Sequence, residues 1–484
     1  MKRHLLTIGL VLSTALLTAQ QAPVRTALPP TEAKPGLNLP TIQKRQLSNG
    51  LPVWLVELHE VPVVQVNLVV LRGSVDDPAG KFGIASLTAA MLEEGAGSRS
   101  SLELADAVDF LGADLGATSS TDATAVRLHV PVARLGAALP LMADMALRPT
   151  FPKDELERLR RERLTNILQA RDDPATINAL AFARTLYGTS HRYGTATNGT
   201  AQTISTLTTA DLRAFYAGAF QPKNAVMLVV GDTSLDKALP LLEANFGGWK
   251  PTTPAAEPVK LPEIAQPAAR TVYLVDKPGA AQTQIRIGWI GVPRATPDYF
   301  PIQVMNTVLG GSFSSRLNMN LREKNGYTYG ASSQFDMRSS AGPFLAAAGV
   351  QTDKTGPALK EFFNELSAIQ KPVPAEELSR SKNYISLRYP QGFETTGDIS
   401  RKLEDAIVYH LPDDYFSKYV QSIDAVTAAD VQRVAQKYIQ PDHLNVVVTG
   451  DRKIIEPVIK SLGLGAIRIV TLDDVFGLAP TVTR

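Results

Sequence analysis

A repeated segment constrains the fold of this chain more than any other feature of its sequence. Thr206–Asp232 reads TLTTADLRAFYAGAFQPKNAVMLVVGD, and Ala425–Asp451 reads AVTAADVQRVAQKYIQPDHLNVVVTGD. Each copy predicts a helix capped by Thr208 or Thr427, then Gln-Pro, then a short buried strand that ends in Gly-Asp. A supersecondary unit that recurs in this way predicts two structurally similar halves.

The two halves mix strand and helix patterns, and a stretch rich in Pro, Thr and Ala separates them. This stretch, residues 251–268, is typical of a linker. We therefore predict an α+β fold of two similar, duplicated domains, residues 41–250 and 269–478. Each domain is expected to be a mainly antiparallel sheet covered by helices.

The N-terminus has the pattern of a targeting segment. A short basic start precedes an apolar run and then small residues, so residues 1–21 are predicted to be a secretory signal peptide. The Pro-rich residues 22–40 are predicted to be a flexible leader. The mature chain is expected to have no membrane span and to be exported, to the periplasm or outside the cell. An uncleaved membrane anchor is the alternative.

The composition excludes several classes of function. Lys plus Arg (49) nearly balance Asp plus Glu (47), and a net charge of +2 gives no footprint for nucleic acid. The absence of cysteine excludes disulfides, thiolate-bound metals and a cysteine nucleophile. The densely charged segment Lys153–Arg171 predicts a solvated helix face with Glu–Arg pairs.

Four short motifs, in this order and spacing, resemble the pitrilysin/insulinase-type metallopeptidases, in the half-length branch that includes mitochondrial processing peptidase. The motifs are Leu51-Pro52-Val53, Phe82-Gly83-Ile84-Ala85, Phe151-Pro152, and Leu321-Arg322-Glu323-Lys324 followed by Tyr329. The resemblance covers about residues 41–475. Active members of that family carry H-x-x-E-H on the first helix, where two His on one helix face bind zinc and the Glu activates a water.

The positions of the zinc motif are degenerate in this chain. The resemblance places the two His positions on Ser86 and Ala90, the motif's Glu on Ala89, and the later Glu ligand on Asn166. None of these residues is a good zinc ligand. We therefore expect no metal and no cofactor in this chain, and no peptide cleavage by this chain alone. An active peptidase with unusual ligands is a less favoured alternative.

The resemblance also points to residues that the chain retains. In two-component members of the family, the chain without zinc supplies an Arg and a Tyr, which match Arg322 and Tyr329. Tyr could donate a hydrogen bond to a carbonyl oxygen that gains charge, and Arg could bind neighbouring carbonyls. The preceding Gly310-Gly311-Ser312 is interpreted as a turn near substrate, or alternatively as a plain helix C-cap. The segment Gly116–Ser120 is a candidate edge for strand addition by a peptide.

The leading hypothesis is a secreted, non-catalytic subunit of a heterodimeric zinc metallopeptidase. A homologous partner would carry H-x-x-E-H and zinc, and this chain would contribute peptide binding through Arg322 and Tyr329. The alternative is an inactive structural or peptide-binding homodimer of the same fold, like the core subunits of respiratory complexes. An adjacent reading frame that encodes an H-x-x-E-H homologue would favour the first hypothesis.

Overall fold

The computed structural model describes residues 41–251 and 253–480. The predicted signal peptide, residues 1–21, and the predicted leader, residues 22–40, lie outside the described part of the chain. Within the described part, no helix combines the length and the apolar character needed to cross a membrane.

The described residues form two large sheets and one short hairpin. The strands are β1 Gln43–Gln46, β2 Pro52–Glu57, β3 Val63–Val70, β4 Gly95–Ala96, β5 Arg99–Ser100, β6 Asp114–Ser119, β7 Thr124–Pro131, β8 Ala225–Gly231, β9 Thr271–Asp276, β10 Gln282–Ile290, β11 Thr328–Phe335, β12 Pro343–Gln351, β13 Asn445–Gly450 and β14 Ala466–Val470.

Helices surround these sheets. They are α1 Ile84–Leu92, α2 Ser101–Phe110, α3 Leu135–Leu147, α4 Lys153–Ala170, α5 Pro174–Tyr187, α6 Ala201–Thr206, α7 Thr209–Ala219, α8 Leu235–Phe246, α9 Tyr299–Leu309, α10 Arg316–Asn318, α11 Thr355–Ala368, α12 Ala375–Arg388, α13 Thr396–Val408, α14 Tyr415–Ala425, α15 Ala428–Tyr438, α16 Arg452–Ser461 and α17 Leu472–Phe476.

The strand order shows the duplication directly. The first sheet runs β1-β2-β8-β3-β7-β6, and the second, read from its other edge, runs β14-β9-β13-β10-β12-β11. Strands β2 and β8 pair in parallel, as do β9 and β13, whereas the β8–β3–β7–β6 and β13–β10–β12–β11 pairings are antiparallel. The predicted α+β class with two similar, mainly antiparallel sheets is therefore confirmed.

The repeat that predicted this arrangement folds as expected. Thr208 caps α7 and Thr427 caps α15, and each accepts a hydrogen bond from the backbone N–H of the Asp three residues later. The Asp side chain of each pair accepts in return from the threonine N–H, which completes a capping box. Strands β8 and β13 follow and are almost entirely buried.

Each half of the chain supplies one helix that covers the sheet of the other half. Helix α5 packs on β10 and β13, where the buried Asn178 donates from Nδ2 to Val447 O at 3.0 Å. Helix α13 packs on β3 and β8, where Asn67 donates from Nδ2 to Glu404 Oε1 at 2.6 Å. The halves are therefore joined by interlocked packing as well as by the connection between α8 and β9.

Candidate functional site

A buried ion pair fixes the N-terminus of α1, the helix on which the family's zinc motif would lie. Asp77 accepts hydrogen bonds from the backbone N–H groups of Gly83 and Ala85, at 2.6 and 3.0 Å. The Asp77 side chain is fully buried and lies 2.8 Å from the guanidinium of Arg192. Gly83 has a φ of +95°, and a Cβ there would lie 2.7 Å from Asn198 O, so only glycine fits.

Helix α1 presents no metal ligand at the motif positions. Ser86 donates from Oγ to Asn198 Oδ1 at 2.8 Å. Ala89 is buried in the first core, and Ala90 packs against that core from its edge. The two alanine positions therefore contribute only methyl groups to the packing of α1.

An arginine of α4 approaches α1 at these positions. Arg163 donates from Nη2 to the backbone oxygen of Ser86 at 2.9 Å. Burial lowers the pKa of the Arg163 guanidinium to about 10, so the group still carries its charge at neutral pH. Asn166, the predicted equivalent of the later ligand, lies nearly one turn further along α4 and lines the same cavity as Arg163 and Asn198.

A zinc ion does not fit these side chains. The positions offer one hydroxyl, two methyl groups and an amide, and a protonated guanidinium lies among them. Zinc prefers thiolate, imidazole and carboxylate ligands, and a cation repels it. Across residues 41–251 and 253–480, no group of three or more His, Asp or Glu side chains is arranged to hold a metal ion.

The solvated face predicted for Lys153–Arg171 is only partly correct. The predicted pairs are present: Arg158 lies 2.6 Å from Glu155, and Arg160 lies 3.0 Å from Glu157. Arg160, however, is only 13% exposed and donates to Leu207 O at 2.6 Å. The prediction is wrong for Arg160 and for Arg163, because both reach backbone carbonyls of neighbouring elements instead of water.

Two residues of this site, Arg163 and Asn198, were not predicted from the sequence. Arg163 could have been found from its position three residues before Asn166, because residues at this spacing lie on the same face of a helix. Asn198 is part of Asn-Gly-Thr, a pattern that suggests glycosylation, and nothing local in the sequence indicates its contact with Ser86.

Arg322 and Tyr329 lie on either side of a short turn at the edge of the second sheet. Arg322 belongs to a π-helical turn, Met319–Lys324, and Tyr329 lies at the start of β11. The Arg322 guanidinium is 4.8 Å from the centroid of the Phe313 ring, and its Nε is 3.3 Å from Glu323. Tyr329 is 87% exposed, and its hydroxyl has no partner among the described residues.

The turn between these two residues is held by side-chain hydrogen bonds. Asn325 donates from Nδ2 to Asn320 Oδ1 at 2.7 Å, and Asn320 donates to Glu361 and Glu365 at 2.9 and 2.7 Å. The backbone N–H of Tyr327 donates to Leu321 O at 2.8 Å. The exposed Tyr329 therefore extends from a turn that is itself anchored.

The stretch Gly310-Gly311-Ser312 ends helix α9. The N–H groups of Gly310 and Gly311 both donate to Asn306 O, at 2.9 and 2.7 Å. A Cβ at Gly310 would lie 2.3 Å from Ser333 N, so close packing against β11 requires glycine there. This geometry fits the helix C-cap alternative, and contact of these residues with a substrate stays a prediction.

The segment predicted to accept an added strand lies in and next to β6, which is an edge strand of the first sheet. An added strand needs such an edge. One of the outward N–H groups of β6 is already occupied, because Ala117 N donates to Glu93 Oε1 at 2.8 Å. Glu93 follows α1 directly, so the C-terminal end of this helix also covers part of this edge. A peptide could pair with β6 at Ala117 only by displacing the Glu93 carboxylate.

Comparisons with known proteins agree on one family. The model described as "Insulinase (Peptidase family M16)" matches residues 53–196, and that described as "Peptidase M16 inactive domain" matches residues 206–385. An uncharacterized zinc protease of Streptomyces coelicolor is 25% identical over 402 residues, which are 82% of this chain and 87% of that protein.

Solved structures share the fold over most of this chain. A crystal structure of a peptidase M16 inactive domain from Pseudomonas fluorescens is 29% identical in sequence and superposes with a TM-score of 0.78. The match covers 84% of this chain and 98% of the Pseudomonas chain. A protease from Helicobacter pylori is 24% identical with a TM-score of 0.77, and covers 85% of this chain and 100% of its own. The second likeness supports the fold alone.

Proposed function

We propose that this chain, which belongs to the insulinase family of peptidases, is the exported, non-catalytic subunit of a heterodimeric zinc peptidase. The observation that carries the proposal is the contrast between two sites on one chain. Arg163 and Ser86 form a hydrogen bond at the position of the family's zinc motif, whereas Tyr329, which follows an anchored turn, is exposed and has no hydrogen-bond partner among the described residues. The metal site of this half is lost, and the Arg/Tyr turn is still presented to solvent.

In this proposal Tyr329 and Arg322 contact a peptide that a partner subunit cleaves. The Tyr329 hydroxyl donates a hydrogen bond to the carbonyl oxygen that gains negative charge during attack. The Arg322 guanidinium offers several N–H donors to neighbouring peptide carbonyls, and Phe313 supports it from one side. The partner would be a homologue with H-x-x-E-H, and it would supply the zinc and the attacking water.

The uncharacterized zinc protease of Streptomyces coelicolor supports the peptidase part of the proposal, because its similarity extends over most of both chains. Export rests on the predicted signal peptide, residues 1–21. The substrate class is a peptide or an unfolded segment, because the members of this fold that the resemblance indicates enclose their substrates between two chains.

The experiment that tests the proposal is recovery of the tagged chain from extracts of its native cells under mild conditions. The proposal expects a second chain of similar length, in equal molar amount, whose mass-spectrometric peptides include H-x-x-E-H. An untagged strain processed in parallel is the control. Recovery of this chain alone as a self-dimer would contradict the heterodimer and support the structural or peptide-binding homodimer.

A further inference from the structure

The cavity beside the lost zinc motif has a charge that the peptidase proposal does not explain. It has a volume of about 220 Å³ and is lined by two arginines, Arg163 from α4 and Arg184 from α5. Among the described residues, no Asp or Glu side chain lines it. Typical sites for drug-sized ligands measure roughly 300–1,000 Å³, so this cavity suits a smaller molecule.

Neither arginine forms an ion pair in the described part of the chain. The nearest carboxylates, Glu162 and Asp77 for Arg163 and Asp474 for Arg184, act on them only from beyond contact distance. Arg163 bonds only to Ser86 O, and its buried Nη1 atom has no acceptor among the described residues. Arg184 donates from Nε to Asp474 O and from Nη2 to Val475 O, both at 3.1 Å, which are backbone oxygens. Two guanidinium charges therefore meet at one cavity with only neutral acceptors, an arrangement that an anion would stabilise.

The remaining walls of the cavity are mostly apolar. Ile167 of α4, Leu180 of α5, and Val475 and Phe476 of α17 contribute side chains. Arg171 stabilises the position of α17. It donates from Nη1 to Gly477 O at 2.8 Å, and its guanidinium lies 5.5 Å from the centroid of the Phe476 ring.

The opening of the cavity is polar. Asn166 and Asn198 line it and are both exposed to solvent, and each carries an amide that can donate a hydrogen bond. A ligand that enters between these amides meets the arginines and the apolar walls together.

We propose that this cavity binds a small apolar carboxylate, with its carboxylate group held by Arg163 and Arg184 and its apolar part against Ile167, Leu180 and Phe476. Planar guanidinium groups pair well with carboxylates, and the apolar walls favour a hydrocarbon body over a hydrated inorganic anion. The carboxylate can come from a free acid or from the C-terminus of a peptide. The inference does not depend on a partner subunit and can be tested on this chain alone.

The test is isothermal titration calorimetry, which measures the affinity of the purified full chain for sodium 4-methylpentanoate and, separately, for the neutral amide of this acid. The proposal expects binding of the acid that is roughly tenfold or more tighter than binding of the amide, because charge-assisted hydrogen bonds are lost in the amide. Sodium phosphate is a third titrant. Phosphate binding as tight as that of the acid, or equal binding of acid and amide, would overturn the proposal.

Variants locate the binding. Arg163→Gln is expected to weaken binding of the acid by roughly tenfold or more. Arg161→Gln, an exposed arginine of the same helix, is the matched control and should bind as the parent chain does. If Arg163→Gln fails to fold, Ala170→Leu tests the same site by filling the cavity that Ala170 lines. Unchanged affinity in a folded variant of either kind contradicts the assignment.

A second pair of titrants separates the two sources of the carboxylate. N-acetyl-alanyl-leucine with a free C-terminus is compared with its C-terminal amide. Tighter binding of the free dipeptide than of 4-methylpentanoate assigns the cavity to peptide C-termini, and the reverse order assigns it to free acids. Failure of both acids to bind contradicts the inference and leaves the heterodimer proposal untouched, because that proposal rests on Arg322 and Tyr329.

Discussion

At the scale of single residues, the polar groups of the two candidate sites differ in burial and in hydrogen bonding. Asp77 and Arg192 are buried, paired and bonded to backbone, so their role is to hold α1. Among the described residues, Tyr329 is exposed and has no hydrogen-bond partner, and the one ion pair of Arg322 is a weak one with its neighbour Glu323. The second pair can therefore change partners at little cost, which a group that binds substrate must do.

Tyr329→Phe should lower the turnover of the two-subunit enzyme by roughly 10²-fold, because one donor to the developing oxyanion is removed. Arg322→Ala is expected to lower kcat/KM without dissociating the subunits. Tyr327→Phe is the matched control, since Tyr327 lies on the same turn but packs against the second core. Steady-state kinetics and size-exclusion chromatography measure the two effects, and unchanged turnover in Tyr329→Phe contradicts the shared site.

Asp77→Asn should destabilise the fold by about 3–5 kcal/mol, because it leaves the Arg192 charge buried without a counter-charge. Asp413→Asn is the control: Asp413 pairs with Lys44 at the surface, where the loss should be below about 1 kcal/mol. Urea unfolding followed by circular dichroism gives both free energies. Equal effects of the two substitutions would show that the buried pair does not anchor α1.

At the scale of elements, local sequence predicted helix starts well and helix partners poorly. Thr208 and Thr427 indicate their caps through residues only three positions away, which sequence reasoning can read. Helices α5 and α13 each pack on the sheet of the other half, and the sequence of neither helix predicts this. An apolar helix face indicates that the face is buried, but not which element covers it. Arg163 was misjudged for the same reason, since its acceptor, Ser86 O, is 77 positions away.

The edge strand β6 gives a prediction at this scale. Glu93→Ala should speed hydrogen exchange in the segment 114–119, because the Ala117 N–H loses its acceptor. Glu93→Gln is the matched control, since its amide oxygen can still accept the bond. Exchange measured by mass spectrometry distinguishes them. Equal exchange in the alanine variant and the parent chain would mean that Glu93 does not protect this edge.

At the scale of the whole molecule, each half of the duplicated fold carries one of the two candidate sites. The half that should hold zinc has Ser86 bonded to Asn198 and Arg163, and the other half presents Tyr329 and Arg322. The sequence resemblance predicted the fold, which the solved structures confirm, and the degenerate positions of the zinc motif, which stay a prediction. It could not predict the contacts of Ser86, because Arg163 and Asn198 come from segments that approach α1 only in the folded chain.

The most direct test of the central claim is the rate of cleavage of an unfolded peptide by three samples, each with added zinc. These are this chain alone, the H-x-x-E-H partner alone, and their equimolar mixture. The mixture is expected to cleave the peptide much faster than the partner alone does, and this chain alone is expected not to cleave it. Cleavage by this chain alone, or a mixture no faster than the partner, would contradict the central claim.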